Sequence, residues 1–158
     1  MMVVLGFGWA KPVPVNMKNF KKERQYMAIT ALAGPASNIL LAIVVFFIYG
    51  LIIRGFSGSR ASGAGDIFLK IVSRTATLSV ALAVFNIVPI PPLDGSKILF
   101  SFLPEHLYHK LMRYERFGMG LIILFVWSSL FDITVGRATF AVRDWFIGIS
   151  QFAYDLVG

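Results

Sequence analysis

From residue 26 to residue 53 the chain carries no charged side chain, a run of 28 positions. A helix needs about 20 apolar residues to cross the hydrocarbon core, so this run predicts a transmembrane helix over 26–53. Arg54 ends it, and 55–65 reads as a Gly/Ser-rich loop. A second apolar run predicts a span over 68–88, with Lys70 and Arg74 in its first turns, where they reach back to the interface. Pro89, Pro91 and Pro92 then stop any helix, because proline lacks the amide hydrogen and crowds the preceding turn. Residues 101–117 are charged and aromatic and predict a surface helix. The charge-free stretch 118–131, with its flanks, predicts a third span over 117–135. Residues 138–157 set Asp144, Gln151 and Asp155 near one helical stripe among aromatics, the pattern of a helix lying in the membrane interface. Ahead of all these, 9–16 alternates Val with Lys and Pro, which predicts a short extended arm within a loop over 1–25. The pattern as a whole predicts an all-α integral membrane protein. It forms one membrane domain over 1–158, with about three transmembrane helices, a Pro-broken segment after the second, and a C-terminal interfacial helix.

Composition agrees with the pattern. Hydrophobic residues make up 57% of the 158 and charged residues 15%, against about 25% charged in an ordinary soluble domain. Mean hydropathy is +0.74. The net charge of +7 would suit nucleic acid, but the cations sit between apolar runs instead of on one solvated face, so a lipid bilayer is the expected partner and nucleic acid is not. The absence of cysteine excludes disulfides and thiolate metal sites. If the three spans cross in turn, 1–25 and 89–116 share one side. They hold nine basic residues, Lys11, Lys18, Lys21, Lys22, Arg24, Lys97, Lys110, Arg113 and Arg116, against six elsewhere. The positive-inside rule therefore expects the Pro-rich segment toward the cytoplasm. The 55–65 loop has no phosphate-binding pattern.

The stretch with chemistry in it is Asn86-Ile87-Val88-Pro89-Ile90-Pro91-Pro92-Leu93-Asp94-Gly95. A carboxylate and an amide here lie in apolar surroundings at or in the membrane, where ionisable groups are costly and usually face a protein interior. Asp94 is either a metal ligand or the start of a turn or helix, since Asp-Gly is a common turn pair. Gly34 and Pro35 suggest a kink and a close helix contact. Asn38 is a membrane amide in need of a partner, which the Pro-rich segment would supply. Phe46, Phe47, Tyr49, Trp127, Phe131 and Trp145 fit lipid contact and interfacial belts.

Asn86-x-x-Pro89-x-x-x-Leu93-Asp94-Gly95 resembles the second signature of the site-2 protease family of intramembrane zinc metalloproteases. Gly8-Trp9-Ala10-Lys11-Pro12-Val13-Pro14-Val15-Asn16 is similar to the segment after that family's first metal-binding helix, in its small bacterial branch. Ala33-Gly34-Pro35-Ala36-Ser37-Asn38 resembles the motif opening the next membrane helix. The resemblance implies a Zn2+ cofactor held by two histidines of an H-E-x-x-H helix and by Asp94. The helix glutamate would act as general base toward peptide bonds of membrane protein substrates. It implies that Asn86, Pro89, Leu93, Gly95 and Asn38 shape the site or meet substrate, and that the protein lies in a bacterial cell membrane. Ser96 stands where the family usually has a second glycine.

No H-E-x-x-H occurs in these residues. The histidines, His106 and His109, follow Asp94, and Glu105 precedes both of them instead of separating them. At i and i+3 they share a helical face and form a remote alternative ligand pair. A catalytic zinc needs three protein ligands, so Asp94 alone does not make one. The expectation is a fragment of a protease, inactive by itself, whose catalytic glutamate lies upstream. The alternative is a shortened, non-catalytic membrane protein that binds membrane partners.

Overall fold

The computed structural model describes residues 23–56, 63–104, 107, 110, 111 and 117–156. The extended arm expected at 9–16, much of the loop at 55–65, and His106 and His109 lie outside them.

Every regular element described is helical: α1 (Glu23–Phe56), α2 (Ala64–Ile87), α3 (Asp94–Ser101), α4 (Gly118–Trp127) and α5 (Arg137–Leu156). Two of them, α1 and α2, are long and apolar enough to cross a membrane. Only 17% and 22% of the residues in their most apolar stretches are buried inside the protein, so most of that surface faces the surroundings, which for Leu, Ile and Phe means lipid. Hydroxyl groups within these helices bond back to their own backbone. Thr30 donates to the Tyr26 carbonyl, Thr75 to Ile71, Thr77 to Ser73 and Ser79 to Thr75. Without water to receive them, these groups need such partners. Lys70, expected to reach for the interface, pairs with Asp66 one turn nearer the helix start, at 2.6 Å.

The third expected span is broken. At Ser128 the backbone becomes extended, and the chain turns by 80° between α4 and the helical stretch that follows. The Ser128 hydroxyl and the Ser128 amide both donate to the Phe125 carbonyl, at 2.7 and 3.1 Å. A turn at Ser129–Phe131 and a π-helical turn at Asp132–Gly136 lead into α5. Of the surface helix expected over 101–117, residues 107, 110 and 111 are described and are helical. Ahead of it, α3 runs from Asp94 to Ser101 and ends before Pro104, which disfavours helix in Leu103.

α1 is the central element and packs on α2, α3 and α5. The core joins Ala42 and Phe46 of α1, Ala76 and Val80 of α2, and Phe146 of α5. Phe46 meets Phe146 edge-on at 6.2 Å. One turn on, a Cβ at Gly50 would overlap the Ser150 carbonyl oxygen and come within 2.9 Å of the Ala153 Cβ. Another turn on, Arg54 donates to the Tyr154 hydroxyl at 3.3 Å. These three rungs, each one turn apart on both helices, make α1 and α5 parallel neighbours. The amphipathic stripe of α5 (Phe146, Ser150, Ala153) is thus given to α1.

Gly50→Ala is expected to force the two helices apart. The cost should be about 1–3 kcal/mol, the usual penalty for overpacking a tight contact. Thermal unfolding in detergent would measure it, and an unchanged midpoint would refute the contact.

Candidate functional site

The Pro-rich segment joins α2 to α3 by a series of tight turns. The Val88 amide donates to the Phe85 carbonyl (3.1 Å), Ile90 to Val88 (2.8 Å), Leu93 to Ile90 (2.8 Å) and Ser96 to Leu93 (3.1 Å). Three prolines remove donors, and these bonds satisfy the amides that remain. Val88, ahead of Pro89, and Leu93, ahead of α3, both take extended conformations, which end one helix and start the next.

Asp94 is the first residue of α3, where a negative charge suits the positive end of the helix. Its carboxylate is about one-third exposed and has two neighbours. The Lys97 ammonium lies 3.3 Å from Oδ1, and a Cβ added to Gly34 would stand 3.1 Å from Oδ2. The Gly34 neighbourhood of α1 and the Asp94 carboxylate are therefore brought together across 60 residues of chain, through a position that has no side chain. Asn38 lies one turn further along α1 and Asn86 in the last turn of α2; both are half-buried. Leu93 is buried and Pro89 exposed.

Two glycines let the backbone close around this segment. A Cβ at Gly95 would overlap the Ile87 carbonyl oxygen and approach the Val88 oxygen to 2.6 Å, so α3 starts directly against the end of α2. A Cβ at Gly118 would overlap the Pro91 carbonyl oxygen, so the start of α4 abuts the turn from the other side. Ser96, where the resembled family carries glycine, is buried and donates to the Leu93 carbonyl at 2.7 Å. The hydroxyl bonds to the backbone, which is why a serine is tolerated there. At the far end of α3, the Arg24 guanidinium donates to the Leu103 carbonyl at 3.1 Å and ties α1 to it.

Sequence reasoning did not single out Lys97 as the partner of Asp94, although the i,i+3 spacing on one helix is the signal for such a pair. Nor did it assign Gly118 a place beside Pro91. Nothing local in the chain marks that contact.

The donor set is incomplete for a catalytic zinc. Among the described residues, no three His, Cys, Asp or Glu side chains come together to hold a metal ion. Asp94 is a single carboxylate with an ammonium beside it, where a metal would need two further ligands. By themselves the described residues do not fit the ion.

The model of Peptidase family M50 matches residues 50–128. Three similar proteins bear the name putative zinc metalloprotease. YwhC of Bacillus subtilis is 37% identical over 129 residues, covering 80% of this chain and 58% of YwhC. Rip2 of Mycolicibacterium smegmatis is 24% identical over 131 residues, covering 83% of this chain and 43% of Rip2. MJ0611 of Methanocaldococcus jannaschii is 41% identical over 69 residues, covering 44% of this chain and 31% of MJ0611. The chain thus spans little more than half the length of YwhC, and less of the others. No solved structure matches it.

Proposed function

The chain belongs to Peptidase family M50, and on that premise we propose that it carries Asp94 as the carboxylate ligand of a zinc endopeptidase centre acting on membrane-spanning segments of other proteins. Residues outside those described supply the other ligands and the general base. The observation that carries this reading is the position of Asp94. It is a carboxylate at the start of α3, held by a Pro-rich turn whose remaining amides, Ile90 and Leu93, are hydrogen-bonded, next to a glycine that leaves one of its oxygens unobstructed. Asn86, Pro89, Leu93, Gly95 and Asn38 shape the surroundings: Gly95 by allowing close approach, Leu93 by anchoring the turn in the core, and the two amides as half-buried polar groups on α2 and α1. The excess of basic residues on this side supports an orientation of this end of the bundle toward the cytoplasm, and the family resemblance supports a bacterial cell membrane.

A second reading has support of its own. The Asp94–Lys97 pair gives the carboxylate a partner without any metal, which suits a non-catalytic protein that binds membrane partners. Metal removal separates the two. The chain is co-expressed with the part of YwhC that it does not cover and reconstituted with a membrane-embedded reporter segment. Cleavage is expected, and it should stop on chelation and return on adding zinc. Cleavage that survives the chelator would sink the zinc reading. A pair that co-purifies and binds the reporter, yet neither holds zinc nor cuts, would favour the second.

A further inference from the structure

The other end of α1 carries a polar site that the metalloprotease reading does not use. About 30 Å of helix separates Gly34, against Asp94, from Arg54 in the last turn, and this is the thickness of the hydrocarbon core. The Arg54 end therefore lies at the opposite membrane edge. There a cavity of about 400 Å³ opens between α1 and α5, lined by Gly50, Ile53, Ser150, Gln151, Tyr154 and Asp155. Its floor is the close contact of Gly50 with the Ser150 carbonyl, possible only because Gly50 has no side chain. Ser150 turns its own hydroxyl proton to the Ile147 carbonyl and leaves oxygen lone pairs over.

The charges decide what would fill it. Arg54 stacks on the Tyr154 ring at 5.0 Å and donates to its hydroxyl, so the contact fixing its guanidinium is with a neutral group. Asp155, the next residue on α5, lines the cavity. Among the described residues neither Arg54 nor Asp155 belongs to an ion pair, with each other or with any third group. Among the described residues a positive and a negative group thus stand without an ionic partner on adjoining helices, Asp155 lining the cavity and Arg54 held on Tyr154 at its edge. A bare anion would meet Asp155, and a bare cation Arg54. A molecule carrying a phosphate and an ammonium a few bonds apart complements both.

We propose that this cavity binds the headgroup of a zwitterionic aminophospholipid, its phosphate toward Arg54 and its primary ammonium toward Asp155. Gln151 and the Ser150 oxygen supply further hydrogen-bonding capacity. The exposed Phe152 and Leu156 offer apolar surface to the acyl chains. Bound there, the lipid bridges the last turns of two helices that otherwise meet through a backbone contact and one stacked arginine.

The test is made on the whole chain, purified into nanodiscs containing equal amounts of phosphatidylethanolamine and phosphatidylglycerol. After extraction into mild detergent, native mass spectrometry counts the lipids retained. Phosphatidylethanolamine is expected to be retained about tenfold over phosphatidylglycerol, the margin of one charge-assisted hydrogen bond. Asp155→Asn should erase the preference, Arg54→Gln should reduce retention of both lipids, and Arg54→Lys should restore it. Equal retention of the two lipids by the unaltered chain would overturn the proposal. So would retention that neither Asp155→Asn nor Arg54→Gln changes, or a preference for phosphatidylglycerol, which would make the cavity an anion site.

Discussion

Asp94→Asn is expected to remove zinc and to lower peptide-bond cleavage by at least about 100-fold when the chain is paired with the segment that supplies the other ligands. Even outer-shell changes around a catalytic metal cost about 10–100-fold, and this substitution would strike a ligand directly. Asparagine keeps the shape of the side chain, but a neutral amide is a much poorer ligand for a dication than a carboxylate. The fold should survive. The pair lost with Lys97 is about one-third exposed on both sides, and exposed ion pairs contribute at most about 1 kcal/mol. Bound zinc per chain and the rate of reporter cleavage are the two readouts, with circular dichroism as the check on folding. A variant that holds zinc and cuts at the unaltered rate would remove Asp94 from the centre. One that loses helix along with activity would make it a structural residue.

Gly95→Val should have the largest structural effect of any single change in the described residues. A Cβ at 95 meets the Ile87 carbonyl oxygen, which is backbone and has no rotamer to escape into. The start of α3 must then leave the end of α2, and the turn closed by the Ser96 amide and the Leu93 carbonyl opens. Overpacking usually costs about 1–3 kcal/mol, and more is expected here because two backbones collide. Asp94 is the adjacent residue, so its carboxylate moves as well, and a misplacement of about 1 Å is enough to cost about 100-fold in catalysis. Gly120→Val is the control, because a Cβ there meets nothing. The apparent melting temperature should fall sharply for the first variant and stay nearly unchanged for the second. Equal melting of the two would contradict the close approach at 95.

Much of the molecule was legible in its sequence. The charge-free run from 26 to 53 lies within α1, because twenty or more apolar residues in lipid have only the helix as a way to satisfy their own amides. Pro89, Pro91 and Pro92 ended α2 for an equally local reason, the missing amide hydrogen. The family signature around Asp94 was also readable, because it is a matter of residue types at set spacings.

Three features were not local and could not be read in advance. The 80° turn at Ser128 falls inside an apolar run with no proline, so hydropathy alone predicted a span over 117–135 and no bend in it. The pattern over 138–157 predicted a helix lying in the membrane interface and no protein partner for it, whereas the rungs 46/146, 50/150 and 54/154 give one face of α5 to α1. Gly34, Gly95 and Gly118 were visible as glycines, yet which backbone or carboxylate each admits depends on segments far away in the chain. By itself, then, the sequence determined that the chain is a helical membrane protein with one candidate ligand at the end of its second span. Apolar length and proline act on the residues beside them. Only the tertiary structure decided what stands around Asp94, because close approach is a property of two surfaces and neither of them carries the other's address.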